Sequence, residues 1–213
     1  MLRFSANLSM LFLEYDFLDR FEKAAECGFQ GVEFMFPYGF EIDVLKQKLS
    51  ENNLEHTLHN LPAGDWAAGE RGVACIPGRE AEFREGVAEA IRYARALGNK
   101  KINCLVGKTP QGYSAEQVHA TLVENLRFAA DALEKENILL LIEPINHFDI
   151  PGFHLTGTHQ ALALIEDTGS KNIKIQYDIY HMQRMEGELA QTMTTFADSI
   201  GHLQIADNPR RGE

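Results

Sequence analysis

The sequence is poor in the residues that disulfide frameworks and thiolate metal sites require. Its 213 residues include three cysteines, Cys27, Cys75 and Cys104, and none of them are in a Cys-x-x-Cys spacing. An odd number of scattered cysteines argues against a disulfide framework and against a zinc site made of thiolates. We therefore expect buried, reduced thiols in a cytoplasmic protein.

Positive charge is also scarce, because 20 lysine and arginine residues stand against 31 acidic residues and give a net charge of −11. Such a chain repels phosphate backbones and anionic lipid surfaces, so we expect neither nucleic acid nor a membrane as partner. The sequence contains no run that approaches the roughly 18 apolar residues of a membrane helix. An anionic small-molecule substrate would need a local cationic pocket.

The first predicted strand-to-helix turn, Asn7-Leu-Ser-Met-Leu-Phe12, lacks a glycine-rich phosphate loop, which weakens the case for a dinucleotide-binding sheet. Instead, short apolar runs alternate with longer amphipathic stretches. We predict seven strands, at residues 3–8, 31–36, 55–61, 101–106, 138–143, 173–178 and 200–206. We predict helices at residues 17–27, 41–53, 83–97, 118–133, 158–167 and 185–198, the fourth after a capping box of Ser114 and Gln117.

The repeated strand–helix order favours a closed barrel or an open doubly wound sheet. The fifth strand, residues 138–143, is apolar on both faces, as is typical of a parallel sheet that helices cover. A complete (β/α)8 barrel needs about 250 residues. We therefore predict an α/β protein with a single TIM-barrel-type domain over residues 1–213 that stops before strand eight.

Polar residues follow or end three predicted strands. Glu143 closes an aliphatic run, Asp178 closes strand six, and Gln204 lies in strand seven. The strands of a barrel present their carboxyl ends at one face, so these side chains can converge there. A lone buried carboxylate is unfavourable, and carboxylate and amide oxygens suit Mg²⁺ or Mn²⁺. The alternative is that each makes an ordinary hydrogen bond at the barrel rim.

Four segments carry a resemblance to a known family: HNLPAGDWAAGERG, LIEPINHFDIPGFHL, QYDIYHMQRMEG and GHLQIADNPRRGE. Together they resemble the hydroxypyruvate isomerases, which belong to the xylose-isomerase-like barrels, and the resemblance spans the whole chain. It implies a divalent-metal site with Glu143, Asp178 and Gln204 as ligands, and it makes Glu143 a catalytic acid/base as well. The family's fourth ligand, a glutamate on strand eight, would lie beyond Glu213.

The resemblance also implies substrate contacts. His181 and Arg210 match substrate-contacting positions of related epimerases, and Asp149 matches a position where those enzymes carry glutamate. From the sequence, His59 and Glu33 are further candidates for the pocket or for a second layer behind it, and a purely structural role is the alternative. Arg71 and Lys108 are candidates, with Arg210, for binding a substrate carboxylate; a solvated surface position is the alternative for Arg71 and Lys108. Trp66 is expected either to cover the pocket or simply to pack.

The activity implied by the resemblance is the interconversion of hydroxypyruvate and tartronate semialdehyde through an enediolate, with a homo-oligomer as an open expectation. Three alternatives remain open: an isomerase or epimerase of another sugar acid or ketose, a metal-dependent endonuclease, and a catalytically impaired fragment that acts only in binding or assembly. The acidic charge counts against the endonuclease. A chain without strand eight is expected to be less stable and less active than one extended through it.

Overall fold

The computed structural model describes residues 3–212, and within them seven parallel strands form one curled sheet in the order β1 to β7. The strands are β1 (Ser5–Asn7), β2 (Gly31–Glu33), β3 (Glu55–Asn60), β4 (Lys101–Cys104), β5 (Leu139–Ile142), β6 (Ile173–Asp178) and β7 (Ile200–Gln204). Each strand pairs in parallel with the next along the chain. The curl brings side chains of β2 and β7 into contact, which confirms the predicted TIM-barrel architecture.

Helices cover the outer face of this half-barrel. They are α1 (Arg20–Glu26), α2 (Ile42–Glu51), α3 (Glu80–Leu97), α4 (Ala115–Glu134), α5 (Thr158–Thr168), α6 (Ile179–Met185) and α7 (Leu189–Thr195). The predicted capping box before α4 is confirmed, because Ser114 and Gln117 satisfy each other's backbone N–H groups. Helix α3 ends at Gly98, whose φ of 75° lies in the left-handed region that glycine adopts without strain.

The prediction of one helix at residues 185–198 is wrong. Helix α6 begins immediately after β6, because the Asp178 side chain caps it by accepting hydrogen bonds from the backbone N–H groups of Tyr180 at 2.8 Å and His181 at 3.4 Å. Gly187 and Glu188 then adopt left-handed φ values of 70° and 45°, and α7 follows. This early helix start holds His181 next to the end of β6.

The main core lies between the sheet and its helices. β5 is buried on both faces, since Leu140, Leu141 and Ile142 are each 0% exposed, as the strand's uniform apolar character predicted. Cys75 and Cys104 are buried and unpaired as expected, whereas Cys27 is exposed, contrary to the expectation of a buried thiol. Among the described residues, the helices include none that is long and apolar enough to cross a membrane.

Candidate active site

The carboxyl ends of the strands surround a cavity of about 140 Å³ inside the half-barrel. Polar groups from five strands or the segments after them line it together with Trp66 of the loop after β3. The polar lining residues are Asn7, Asn60, Glu143, Gln176, His181, Gln204 and Arg211. This is the position at which TIM-barrel enzymes carry their catalytic residues.

Glu143 directly follows β5, and its buried carboxyl group lines the cavity. Its Oε2 accepts hydrogen bonds from Asn103 Nδ2 at 3.0 Å and from Gln176 Nε2 at 2.8 Å. Burial, followed by the negative charge of Asp178, raises the pKa of Glu143 to about 8, although Arg211 opposes the shift. A carboxyl group with such a pKa can exchange a proton near neutral pH.

Asp178 ends β6, and its two carboxylate oxygens have different hydrogen-bond partners. Oδ1 caps α6, while Oδ2 accepts a hydrogen bond from Arg211 Nη2 at 3.2 Å. Burial raises the pKa of Asp178, and the Arg211 guanidinium partly opposes that shift. Two buried carboxyl groups thus lie close together, and Arg211 contacts one of them, which leaves negative charge that a bound cation would neutralise.

His181 stands between the two carboxylates, with its Nε2 3.6 Å from Asp178 Oδ2 and 3.9 Å from Glu143 Oε1. Its Nδ1 accepts hydrogen bonds from Asn146 Nδ2 at 2.6 Å and from the Asn146 backbone N–H at 3.4 Å. Two donors on Nδ1 place the proton of the neutral ring on Nε2. Burial, and then Arg211, lower the pKa of His181 to about 3, so the ring is a neutral donor aimed at the carboxylates.

Gln204 lines the same cavity but does not contact the two carboxylates. Its Oε1 accepts a hydrogen bond from Gln176 Nε2 at 2.9 Å, and its Nε2 donates to Glu33 Oε1 at 2.6 Å. Gln176 also donates to Glu143, so one amide group connects two of the three predicted ligands. The structure therefore places Glu143 and Gln204 in the lining of one cavity and Asp178 close to Glu143, so the three predicted strand ends lie in the same region.

The cavity fits a hard divalent cation. Ligand atoms of Glu143, Asp178 and His181 all lie within 4.8 Å of one another. Gln176 Oε1 and Asn103 Oδ1, both buried next to Glu143, have no hydrogen-bond partner in the described part of the chain. Buried oxygens without donors and carboxyl groups with raised pKa values are what a cation would satisfy. Since Nε2 of His181 carries a proton, the oxygen atoms are the better ligands.

The structure corrects the choice of the arginine that would bind a substrate carboxylate. Arg210 is exposed, whereas its neighbour Arg211 lines the cavity, contacts Asp178 and lies over the Tyr180 ring at 4.9 Å. The two arginines are adjacent in a loop without a strand periodicity, so no pattern in the sequence distinguishes them. Arg211 is therefore the arginine that can meet a substrate carboxylate in this arrangement.

Arg71 and Lys108 lie outside the cavity and hold the loop after β3. The Arg71 guanidinium stacks on the Trp66 ring at 3.8 Å and donates to the carbonyl oxygens of Trp66 and Glu70. Lys108 Nζ donates to the Gly69 carbonyl at 2.8 Å. Both cations thus brace the segment that places Trp66 against the cavity, and neither points at the carboxylates.

Asp149 was expected to contact the substrate, but its carboxylate is bound by other residues of the protein. Its carboxylate accepts hydrogen bonds from Asn146 Nδ2 at 3.0 Å, Tyr180 Oη at 2.8 Å and Arg184 Nη1 at 2.5 Å. These contacts occupy the carboxylate and turn the Asn146 amide so that it donates to His181. Asp149 therefore supports His181 from behind.

His59 lies on the outer side of β3. Its Nδ1 meets Asn99 Nδ2 at 3.1 Å, its ring stacks with His56, and the backbone of Ala90 in α3 is a neighbour. Asn60, the next residue, lines the cavity instead. The pocket prediction for His59 fails because successive side chains of a strand point to opposite faces.

Sequence reasoning missed Asn103, whose amide bonds Glu143 from β4. A polar residue inside the buried strand Lys101–Cys104 was the available signal, because buried amides are normally hydrogen-bonded. Gln176 carried a clearer signal, since two-residue alternation places it on the same face as Asp178.

The fold and the cavity define a TIM-barrel enzyme, and comparisons with known proteins agree. The family model described as "Xylose isomerase-like TIM barrel" matches residues 21–213. The chain is 81% identical over 213 residues to hydroxypyruvate isomerase of Escherichia coli, a match that covers 100% of this chain and 83% of the relative. It is 45% identical over 211 residues to 2-oxo-tetronate isomerase of Cupriavidus necator, covering 99% of this chain and 81% of that protein.

A crystal structure from Brucella melitensis, described as an AP endonuclease of family 2, matches with a TM-score of 0.95 and 43% identity. That match covers 100% of this chain and 84% of the other. The chain belongs to the xylose isomerase-like TIM barrel family, and it is an enzyme of the isomerase class.

Proposed function

We propose that this enzyme interconverts hydroxypyruvate and 2-hydroxy-3-oxopropanoate, with Mg²⁺ or Mn²⁺ as cofactor. The observation that carries the proposal is the pair of buried carboxyl groups, Glu143 and Asp178, which lie beside a neutral histidine next to a cavity of about 140 Å³. The 81% identity to a hydroxypyruvate isomerase supports the choice of substrate.

Glu143, Asp178 and Gln204 would hold the cation through oxygen atoms, which are the ligands that Mg²⁺ and Mn²⁺ prefer. When bound, a divalent cation stabilises negative charge that develops on neighbouring oxygens of the substrate. The raised pKa values of Glu143 and Asp178 support this assignment, because burial leaves both carboxyl groups short of positive charge.

Glu143 would move the proton. Isomerisation removes a proton from C3 of hydroxypyruvate, forms an enediolate, and returns a proton to C2, while the hydroxyl proton passes between the two oxygens. A buried carboxylate within hydrogen-bond reach of the substrate carbon accelerates such a transfer by roughly 10²–10⁴-fold. Asn103 and Gln176 hold Oε2 of Glu143, which leaves Oε1 free of these two amides and facing His181.

His181 and Arg211 would orient the substrate. The proton on Nε2 of His181 can be donated to a substrate oxygen, where it stabilises charge as the enediolate forms. Arg211 brings the cavity a guanidinium that can pair with the substrate carboxylate. Trp66, braced by Arg71, closes one side of the cavity and excludes water from the enediolate.

A second candidate keeps the same chemistry with a longer acid. The 45% identity to a 2-oxo-tetronate isomerase favours a four-carbon substrate as the alternative. The hypothesis that the protein is an endonuclease has less support, because the net charge of −11 repels a phosphate backbone. The cytoplasmic location and the homo-oligomer stay predictions.

The test is an isomerase assay with hydroxypyruvate and with 2-oxo-tetronate, on protein stripped by a chelator and then supplied with Mg²⁺ or Mn²⁺. We expect turnover of hydroxypyruvate that disappears with the metal and returns with it. Glu134→Gln, on the exposed side of α4, is the matched control for Glu143→Gln. Turnover of the four-carbon acid alone would favour the second candidate, and full activity of Glu143→Gln would refute the catalytic role.

A further inference from the structure

Glu33 is a buried carboxylate that the proposed chemistry does not use. It ends β2, across the half-barrel from β7, and it is 4% exposed. Three donors converge on it: Gln204 Nε2 at 2.6 Å and Asn7 Nδ2 at 3.0 Å meet Oε1, and His202 Nε2 meets Oε2 at 2.8 Å. Donors therefore approach both of its oxygens.

The contact with Gln204 decides which way the Gln204 amide points. A glutamine can present either its oxygen or its NH₂ group, and only the oxygen can bind a cation. An ionised carboxylate has no proton to donate, so it can pair only with the NH₂ group. The Gln204 NH₂ group therefore faces Glu33, and Oε1 faces Gln176 and the cavity.

Glu33 is itself held in place. The Asn7 side chain is fixed because its Oδ1 accepts a hydrogen bond from the Ser9 backbone N–H at 3.0 Å. His202 is fixed from the other side, where Lys101 Nζ lies 3.5 Å from Nδ1. A lysine donates to Nδ1, so the ring proton is on Nε2, which is the atom that meets Glu33.

We propose that Glu33 is a positioning residue, which locks the amide of Gln204 with its oxygen toward the metal site. This inference rests on the proposed function, because it takes Gln204 as a metal ligand. Partners that orient metal ligands from behind typically change metal affinity by about 10–100-fold when they are removed. Glu33 would act in this way from the opposite strand of the half-barrel, without touching the cation.

The test measures the dissociation constant of Mn²⁺ by titration calorimetry on the chelator-stripped chain. Glu33→Gln should weaken Mn²⁺ binding by about 10–100-fold, because one amide oxygen cannot accept from donors on both sides. The effect must operate through Gln204. In a Gln204→Ala background, Glu33→Gln should therefore change the dissociation constant by less than about 2-fold.

A second variant tests whether the position or the charge of the Glu33 carboxylate determines the Mn²⁺ affinity. Glu33→Asp keeps the negative charge but shortens the side chain, so it should also weaken Mn²⁺ binding, whereas an effect of charge alone predicts wild-type affinity. Thr57→Val is the control, since Thr57 is a partly buried β3 residue that bonds Ser5 and the Val32 carbonyl and makes no contact with Gln204. Melting curves without metal report the stability of each variant.

The outcomes separate this inference from the proposed function. No Mn²⁺ or Mg²⁺ binding by the wild-type chain would overturn the metal site itself. Wild-type binding together with unchanged affinity in Glu33→Gln would overturn only the role of Glu33. Equal losses from Glu33→Gln in the presence and absence of the Gln204 side chain would also overturn it, since Glu33 would then act by its charge.

Discussion

His181 and His59 are both buried, and burial lowers the pKa of both, to about 3 and about 4 respectively. Their surroundings nevertheless differ. His181 has Asn146 on one nitrogen and two carboxylates near the other, inside the half-barrel. His59 lies between β3 and α3 among aromatic rings, and its Nε2 has no partner among the described residues.

The difference teaches that burial and a low pKa do not mark a catalytic histidine. His181 differs from His59 in two ways: it faces the cavity inside the half-barrel, and its neighbours are polar and charged groups. A neutral ring that aims a donor into a polar cavity can act on a substrate, whereas a ring that stacks on His56 and contacts Asn99 has a structural role. The following predictions test this contrast between the inner and outer faces of the sheet.

The largest effect is expected at the inner carboxylate. Glu143→Gln keeps the shape of the side chain but removes the group that moves the proton. We expect kcat for hydroxypyruvate to fall by roughly 10²–10⁴-fold at saturating Mn²⁺. Circular dichroism should show an unchanged fold, and activity within about 2-fold of wild type would contradict the inner-face assignment.

The direct comparison of the two histidines comes next. His181→Gln should lower kcat by about 10²-fold, because it misplaces a donor that acts on the forming enediolate. His59→Gln should leave kcat within about 2-fold but lower the free energy of unfolding by about 1–3 kcal/mol, through loss of a buried polar contact with Asn99.

Steady-state kinetics of both variants measure kcat, and urea unfolding measures their free energies of unfolding. If His59→Gln lost activity at unchanged stability, the outer face would have a catalytic role and the contrast would be wrong.

A smaller effect is expected at the two adjacent arginines. Arg211→Ala should raise KM for hydroxypyruvate by about 10-fold, because a charged hydrogen bond to the substrate carboxylate is lost. Arg210→Ala, at an exposed position, should leave KM within about 2-fold. The same assay with both variants decides between them, and the reverse result would restore the assignment made from the resemblance.

The smallest effect concerns stability and pH. Burial raises the pKa of Glu143 from its ordinary value of 4.5 to about 8, so the metal-free folded protein keeps a proton that the unfolded chain releases within this range. The contribution of Glu143 to the free energy of unfolding should therefore be fully present below pH 4.5 and be lost as the pH rises to about 8.

Urea unfolding of chelator-treated protein at pH 6 and pH 8 measures this change. Glu143→Gln should flatten the dependence, and His59→Gln, whose ring is neutral at both pH values, should retain it. An identical slope in wild type and Glu143→Gln would show that Glu143 is not the group that titrates.

Much of the fold could be predicted because local patterns report on the backbone. Apolar runs marked the seven strands to within a few residues, and Ser114 with Gln117 marked the start of α4. The helix after β6 was missed because its first signal is a carboxylate, Asp178, that serves as helix cap and cavity residue at once. A pattern search that assigns one role to each residue does not find such a helix.

The sequence by itself determined the parallel strand–helix order and the three strand-end residues Glu143, Asp178 and Gln204, because alternation and strand termini follow from local periodicity. The tertiary structure decided which arginine enters the cavity, that Asp149 supports His181 through Asn146, and that Glu33 reaches Gln204 across the half-barrel. These contacts join residues that the curl of the sheet brings together, and the curl is a property of all seven strands.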